Sequence, residues 1–217
     1  YNNQIVQDDL QAIVSATFLD WQQLQGKTVL ITGANGMLAT YMVYVLAYLN
    51  EHHQADICIL ATARNLEKAK KRFLGLDDVA GFQLLQHDVN VDLVYEGDVD
   101  YIIHAASNAS PRFILSDPVG IIKANTLGTM NLLEFAKEKS LSNFLFLSTR
   151  EIYGKAIKDD IDEEAYGAFD ILESRACYPE SKRMAETMLQ AYYDQYRIPF
   201  TIARLAHSYG PGMELAN

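Results

Sequence analysis

The sequence is poor in cysteine and in positive charge. Cys58 and Cys177 are the two cysteines in 217 residues, and neither belongs to a CxxC pair or a metal-ligand spacing. A disulfide framework and a cysteine-based zinc site are therefore not expected. Lysine and arginine number 18 against 28 acidic residues, which gives a formal net charge of -10. Proteins that bind a nucleic-acid backbone usually carry a basic surface, so we expect no nucleic-acid partner.

Long hydrophobic runs are also missing. No stretch is long enough to span a bilayer, and the start, YNNQIVQDDL, lacks the regions of a signal peptide. With the free cysteines, this favours a cytoplasmic protein that does not contact a membrane. The adjacent His52 and His53 have no third ligand nearby in the sequence, so no metal site is predicted.

Short apolar segments alternate with longer helical patterns along most of the chain. Residues 5–25 carry an amphipathic pattern, which predicts an N-terminal helical extension over residues 1–25. Strands are predicted at 27–32, 56–61, 82–86, 99–104, 143–148 and 200–204, with helices between them. This alternation is typical of an α/β fold, a doubly wound parallel sheet with helices on both faces. We expect residues 26–217 to form that domain.

A glycine turn, TGANGMLA, joins the first predicted strand to the next helix. Gly33 permits a tight turn, Gly36 allows the backbone to approach a pyrophosphate, and Ala39 lets the helix pack closely on the sheet. The helix N-terminus supplies free N–H groups and a partial positive charge. The turn predicts a Rossmann-type site for a nicotinamide dinucleotide, the alternative being a strand-helix turn without a ligand. Predicted cofactor contacts here are Gly33, Asn35, Gly36, Met37 and Leu38.

The end of the second strand bears on which dinucleotide binds. An acidic residue there favours NAD, but the sequence runs Ala63-Arg64-Asn65. Arg64 could hold the 2′-phosphate of NADP, and a solvated Arg64 is an equal alternative. Asp88 and Val89 follow the third strand, where Asp88 could accept a hydrogen bond from the adenine amine. The cofactor is therefore NAD or NADP.

A YxxxK pattern, Tyr178 to Lys182, marks the last long helix. Positions i and i+4 share a helix face, so we expect the Lys182 ammonium to lower the pKa of Tyr178 toward that of a useful base. Thr149 lies at the carboxyl end of the fifth strand, the edge where ligands bind in such sheets. We expect its hydroxyl to hold a substrate oxygen near Tyr178.

These elements occur in the order and spacing of a known family. The segments TGANGMLA, HDV, HAAS, ANTLGTMNLLE, STREIYG, YPESK and ARLAHSYGP resemble the extended short-chain dehydrogenase/reductase family of nucleotide-sugar epimerases, dehydratases and decarboxylases. The resemblance runs from about Lys27 to Met213. Within the family, ASNASPRF and RACYPESKRMAET look most like UDP-glucuronate decarboxylases.

The resemblance implies roles for individual residues. The implied catalytic residues are Thr149, Tyr178, Lys182 and Glu151, of which Tyr178 and Lys182 also contact the cofactor. Ala105, Ala106 and Ser107 would line the nicotinamide side, and Asn125 matches the structural asparagine of the long helix. Thr149, Arg150 and His207 would contact the substrate.

Two departures from the family pattern concern the substrate. Arg150 replaces the aspartate of the dehydratases, and His207 stands where the family often has asparagine. For Glu151, a salt bridge to Arg150 or to another cation is the alternative to a catalytic role.

The implied activity is transient oxidation of a nucleotide-diphospho-sugar by bound NAD or NADP, with Tyr178 taking the hydroxyl proton. The ketone would then be epimerised, decarboxylated or eliminated. An NADPH-dependent ketone reductase and a dinucleotide-binding module without turnover are the alternatives. The resemblance also implies a homodimer. Because the chain stops soon after the sixth strand, we expect the part that closes over the substrate to be missing.

Overall fold

The computed structural model describes residues 1–107, 110–155 and 161–213. Asn108 and Ala109 of the ASNASPRF motif lie outside these ranges. The strands are β1 (Thr28–Thr32), β2 (Cys58–Ala63), β3 (Phe82–Gln86), β4 (Tyr101–His104), β5 (Asn143–Thr149) and β6 (Phe200–Leu205). The α-helices are α1 (Gln4–Val14), α2 (Met37–His53), α3 (Leu66–Arg72), α4 (Pro111–Ser116), α5 (Pro118–Lys137) and α6 (Cys177–Tyr196).

The strands form one parallel sheet in the order β3-β2-β1-β4-β5-β6. The strand order reverses between β1 and β4, which creates the crevice at the carboxyl edge where α/β sheets bind ligands. This topology confirms the predicted α/β fold of the Rossmann type.

The two faces of the sheet carry separate cores. Side chains alternate along a strand, so β1 sends Val29 and Ile31 into the core under α2 and Leu30 into the core under α5 and α6. The first core also includes α1 and α3, and the second includes Phe144 and Phe146 of β5. Each helix layer therefore packs on its own side of the strands that position the site.

The helix predicted over residues 5–25 is wrong in length. α1 ends at Val14, and Trp21–Leu24 forms a separate 3₁₀ turn. The Trp21 indole N–H donates to the Val14 carbonyl at 3.1 Å, an acceptor that a continuing helix would use for its own ladder. Phe18, counted as part of the apolar face, is 86% exposed. Val6, Leu10 and Val14, spaced by four residues, form the stripe that packs toward α2.

Smaller boundary shifts have local causes. β2 begins at Cys58, because Asp56 has a left-handed φ of 52° that interrupts extended backbone. α6 begins at Cys177, two residues before the predicted start, so Tyr178 lies inside the first helical turn. Within the part of the chain that is described, no helix could cross a membrane and no three His, Cys, Asp or Glu side chains form a metal-binding group.

Candidate functional site

The turn between β1 and α2 is packed directly on the end of β4. Gly33 has a left-handed φ of 63°, and a Cβ at this position would lie 2.6 Å from the Ala106 Cα. The Ala34 N–H donates to the Thr62 carbonyl at 3.0 Å, which fixes the turn to the end of β2 as well. Gly33 is therefore required by the fold itself, as the tight turn predicts.

Gly36 is less restricted than Gly33. It is the N-cap of α2 with an ordinary φ of -69°, and the atom nearest to an added Cβ is the Gly33 carbonyl oxygen at 3.3 Å. Among the described residues, no side chain caps this helix, and its first turn holds no acidic residue. The first N–H groups of α2, at Met37 and Leu38, therefore have no side-chain acceptor from the N-cap residue and lie at the positive end of the helix dipole. This arrangement fits the phosphates of a dinucleotide.

Three of the buried polar atoms without partners lie along the same edge of the sheet. Thr62 Oγ1, His87 Nε2 and Ser107 Oγ are buried and have no hydrogen-bond partner in the described ranges. They lie at or just after the carboxyl ends of β2, β3 and β4. Burial lowers the pKa of His87, so its ring is neutral and can share hydrogen bonds with a ligand. Buried polar groups are normally paired, so this row fits a polar ligand along the edge.

The residues predicted to contact adenosine have distinct environments. Arg64 is exposed, and within the described segments its side chain forms no ion pair. Asp88 Oδ1 accepts from the Asn90 backbone N–H at 3.0 Å and from the Asn90 amide at 2.9 Å. Val89 is buried against Gly128 of α5, where a Cβ would lie 2.7 Å from Val89 Cγ2. Val89 therefore has a packing role in addition to its predicted place beside the cofactor.

The YxxxK pair lies on the buried face of α6. Tyr178 is 6% exposed and Lys182 is 3% exposed, and Ala185 and Leu189 continue the same face. Thr149, also buried, ends β5 and lies close enough to Tyr178 for its hydroxyl to lower the pKa of that phenol. The three side chains thus meet at the carboxyl edge of the sheet, as the sequence predicts.

The prediction that Lys182 lowers the pKa of Tyr178 is wrong for this structure. Burial raises the pKa of Tyr178, and the opposing influences come from Thr149 and Arg175. Lys182 Nζ instead donates to the Leu147 carbonyl at 2.7 Å and lies 4.4 Å from the Phe146 ring centroid. Burial lowers the pKa of Lys182 to about 7, because the apolar surroundings disfavour the charged form of the amine.

Asn125 joins α5 to the start of α6. It is fully buried, its amide nitrogen donates to Ser181 Oγ at 2.9 Å, and Ser181 Oγ donates to the Cys177 carbonyl at 2.6 Å. The Asn125 carbonyl accepts from Thr129 Oγ1. These bonds fix the helical turn that carries Tyr178, which fits the structural role implied for Asn125.

His104, at the end of β4, is a site residue that sequence reasoning missed. Its ring joins Thr32 Oγ1 at 2.8 Å through Nδ1 and Thr129 Oγ1 at 3.2 Å through Nε2. Because Thr129 already donates to Asn125, His104 Nε2 must be the donor and Nδ1 the acceptor. Burial, followed by the charge of Lys182, lowers the pKa of His104 to about 3. This neutral ring connects the residue before the glycine turn, Thr32, to α5. His104 is the first residue of the HAAS motif, but no sequence pattern indicated which residues it would bond.

Glu151 is paired with a residue that the sequence did not single out. Both oxygens of Glu151 accept from Arg175, with Nη2 at 3.0 Å from Oε1. Glu151 follows Thr149 in a 3₁₀ turn at Arg150–Tyr153, and its backbone N–H donates to Thr149 Oγ1 at 3.2 Å. The alternative partner, Arg150, instead donates from Nη2 to His207 Nδ1 at 3.3 Å, so the two predicted substrate contacts lie together.

Two further arginines fix the segments around this edge. Arg183 donates to the Ile152 carbonyl at 2.7 Å and to the Gly167 carbonyl, and its guanidinium lies 4.6 Å from the Phe169 ring centroid. Arg204 pairs with Glu186 at 2.8 Å, and Glu186 accepts from Ser148 beside Thr149. The turn carrying Glu151 is therefore held to α6 by side chains rather than by backbone pairing.

Comparison with known proteins adds a family match. The NAD dependent epimerase/dehydratase family model matches residues 29–217. UDP-glucuronic acid decarboxylase 6 of Arabidopsis thaliana is 36% identical over 189 residues, covering 86% of this chain and 52% of the relative. UDP-glucuronic acid decarboxylase 1 of Xenopus tropicalis is 34% identical over 192 residues, covering 87% of this chain and 43% of the relative. The chain spans about half the length of the curated relatives it matches.

A solved structure shares the fold at lower identity. The UDP-glucuronic acid 4-epimerase of Bacillus cereus in complex with NAD superposes with a TM-score of 0.64 at 20% identity, covering 87% of this chain and 60% of that protein. This likeness supports the Rossmann topology.

Proposed function

The chain belongs to the NAD-dependent epimerase/dehydratase family, and we propose that it acts on a nucleotide-diphospho-sugar through transient oxidation by bound NAD or NADP. The observation that carries this proposal is the meeting of Thr149, Tyr178 and Lys182 at the sheet edge beside the open N-terminus of α2. Relatives named as UDP-glucuronic acid decarboxylases and a neighbour solved with NAD support the substrate and cofactor classes.

The cofactor would lie across Gly33–Leu38, with its adenosine end toward Arg64 and Asp88 and its nicotinamide end toward Ala105–Ser107. The unpartnered Thr62, His87 and Ser107 atoms support this path. Bound there, the nicotinamide ring would supply reversible hydride transfer. NAD is the dinucleotide named for the solved neighbour, whereas the exposed Arg64 and the missing carboxylate favour NADP, so both are retained.

Tyr178 is the proton acceptor in this proposal. In its phenolate form, its oxygen would take the proton from a sugar hydroxyl, while Thr149 would hold the same sugar oxygen through its own hydroxyl. Lys182 stands one helical turn away and would contact the ribose. Because burial raises the pKa of Tyr178, its proton is held firmly until positive charge enters the cleft.

Glu151 would act after the oxidation. Once a sugar carbon is a ketone, the neighbouring carbon exchanges a proton or loses a carboxylate more readily, and Glu151 lies two residues from Thr149 at the same edge. A carboxylate here supports a decarboxylase or an epimerase, and the names of the curated relatives favour the decarboxylase. Arg150 and His207 would contact the sugar nucleotide.

The test uses the complete protein loaded with NAD and supplied with UDP-glucuronate. We expect a transient rise in the absorbance of reduced nicotinamide, followed by product and CO₂, without net consumption of the cofactor. Stoichiometric release of oxidised NADP from a ketone substrate would identify the reductase instead. Cofactor binding without any turnover of nucleotide sugars would identify a binding module.

Glu151→Gln sharpens the test, because it keeps the shape of the side chain and removes its charge. We expect this variant to reduce the bound cofactor when substrate is added and then to stall before the final product. Product formation at the normal rate would assign Glu151 to structure alone.

A cytoplasmic homodimer completes the proposal. Exposed apolar side chains on α5 and α6, among them Ile122, Met130 and Met184, support pairing through these helices. Light scattering of the complete protein should give twice the chain mass, and Met184→Lys should shift it toward the monomer. The free Cys58 and Cys177 agree with a reducing compartment.

A further inference from the structure

Arg175 is a second cation at the mouth of the site, three residues before Tyr178. It lies in a 3₁₀ turn at Ser174–Ala176 that leads directly into α6. Both of its terminal nitrogens donate to the Glu151 carboxylate, which is the two-point geometry of a guanidinium on a carboxylate. The Arg175 side chain is 44% exposed and that of Glu151 is 25% exposed, so the pair is open to an incoming ligand.

The pair is also close enough to the reacting tyrosine to act on it. Glu151 raises the pKa of Tyr178 and Arg175 lowers it, so both charges are felt at the phenolic oxygen. Hydrogen bonds from Arg175 to Glu151 raise the pKa of the guanidinium further, and Arg175 therefore stays charged. Arg150, which directly precedes Glu151, is bonded to Nδ1 of His207 and has no carboxylate partner among the residues described.

We propose that Arg175 is the receptor for a carboxylate on the sugar of the substrate, and that Glu151 occupies this receptor in the free protein. The inference rests on the proposed function, since it places the sugar beside Tyr178. A second carboxylate brought next to Glu151 would be repelled unless Arg175 were shared between the two. With Arg175 shared in this way, the site would bind nucleotide-linked uronic acids more tightly than neutral nucleotide sugars.

The proposed contact acts on binding more than on chemistry. A carboxylate loses its negative charge as CO₂ departs, so an interaction with that charge is strongest in the ground state. The contact from Arg175 therefore lowers KM and Kd for a uronic acid without raising kcat. Because Arg175 is shared with Glu151, its bond to the substrate is weaker than an exclusive ion pair.

Calorimetry on the complete, NAD-loaded protein tests the inference with UDP-glucuronate and UDP-glucose. In Arg175→Gln, we expect the affinity for UDP-glucuronate to fall by about 10- to 100-fold, the range for one charge-assisted hydrogen bond, while that for UDP-glucose stays within about twofold. Arg175→Lys keeps the charge without the two-point geometry, so its affinity for UDP-glucuronate should lie between those of the wild type and Arg175→Gln. Glu151→Gln removes the internal carboxylate, so UDP-glucuronate should bind at least as tightly as to the wild type.

Arg197→Gln is the matched control, because it removes the same charge from the far end of α6, where Arg197 stacks on Tyr193. It should leave both affinities unchanged. Equal losses for the two sugars in Arg175→Gln, or no loss, would overturn the role of Arg175 and leave the proposed function intact. A wild-type protein that binds NAD but neither sugar nucleotide would overturn the proposed function itself. Matching melting temperatures for the variants exclude misfolding as the cause of any loss.

Discussion

The two halves of the sheet's carboxyl edge are built in different ways. The dinucleotide half, at the ends of β1–β3, consists mainly of backbone: a turn at 33–36 packed on Ala106 and the uncapped N-terminus of α2. The catalytic half, at the end of β5 and the start of α6, consists of side chains from distant parts of the chain. One half is formed by a contiguous motif, and the other only by tertiary packing.

The difference also appears in what holds each half in place. Gly33 and Ala34 are fixed by contacts with neighbouring strands. Glu151 depends on Arg175 and on the bond from Arg183 to Ile152, which reach it from segments more than twenty residues away. Substitutions in the dinucleotide half should therefore change folding or cofactor affinity, whereas those in the catalytic half should change rates or substrate choice.

Tyr178→Phe should give the largest effect of all. It removes the proton-transfer group and keeps the ring, so we expect kcat of the complete protein to fall by about 10²–10⁴-fold. NAD affinity and melting temperature should match those of the wild type. A variant with a near-normal rate would require another catalytic base.

A glycine pair separates folding from binding within the dinucleotide half. Gly33→Ala places a Cβ 2.6 Å from the Ala106 Cα at a left-handed φ, so we expect the free energy of unfolding to fall by roughly 2–4 kcal/mol in denaturant titrations. Gly36→Val has an ordinary φ, and its Cβ would lie 3.3 Å from the Gly33 carbonyl oxygen, a milder conflict than that at Gly33. It should therefore cost less, on the order of 1 kcal/mol, as a poorer N-cap.

The effect of Gly36→Val, the milder of the two substitutions for stability, should be the larger one for NAD binding. Gly36→Val obstructs the approach to the N-terminus of α2, and NAD affinity should fall roughly 100-fold or more through lost charge-assisted bonds. Unchanged NAD affinity in calorimetry would contradict the proposed cofactor path, whatever the stability of the variant.

Arg64→Ala tests the adenosine end with a smaller effect. If Arg64 binds the 2′-phosphate, NADP should lose roughly 1.5–3 kcal/mol of binding free energy and NAD should lose almost none. Competition binding of the two dinucleotides to the wild type and the variant measures this directly. Equal losses for both would assign Arg64 to the solvated surface.

His104 links the two halves, and its effect on stability is spread over pH. Its pKa is about 3 in the folded chain against 6.5 in the unfolded chain, so below pH 6.5 the unfolded state binds more protons. Stability should therefore fall as the pH drops from 6.5 toward 3, by about 1.4 kcal/mol per unit from this residue. His104→Gln should reduce that slope in urea titrations at several pH values, whereas an unchanged slope would contradict the burial of a neutral ring.

The same contrast explains what could be predicted from the sequence. The topology and the turn at Gly33 follow from local patterns, namely short apolar segments that alternate with helical ones and the positions of the glycines. The pKa of Tyr178 does not, because burial by other segments decides its direction. The Arg175–Glu151 pair is separated by 24 residues and the His104–Thr32 bond by 72, and neither spacing forms a motif. The helix predicted over 5–25 is too long, because α1 ends at Val14, whose carbonyl accepts from the Trp21 indole rather than from a further helical turn.

Arg183 has a mechanical consequence. It follows Lys182 directly on α6, yet it is bonded to the carbonyls of Ile152 and Gly167 in the segment after β5. A shift of α6 would therefore pull this segment with it, so Arg183 couples the position of Glu151 to that of Tyr178 although the two residues lie in separate elements.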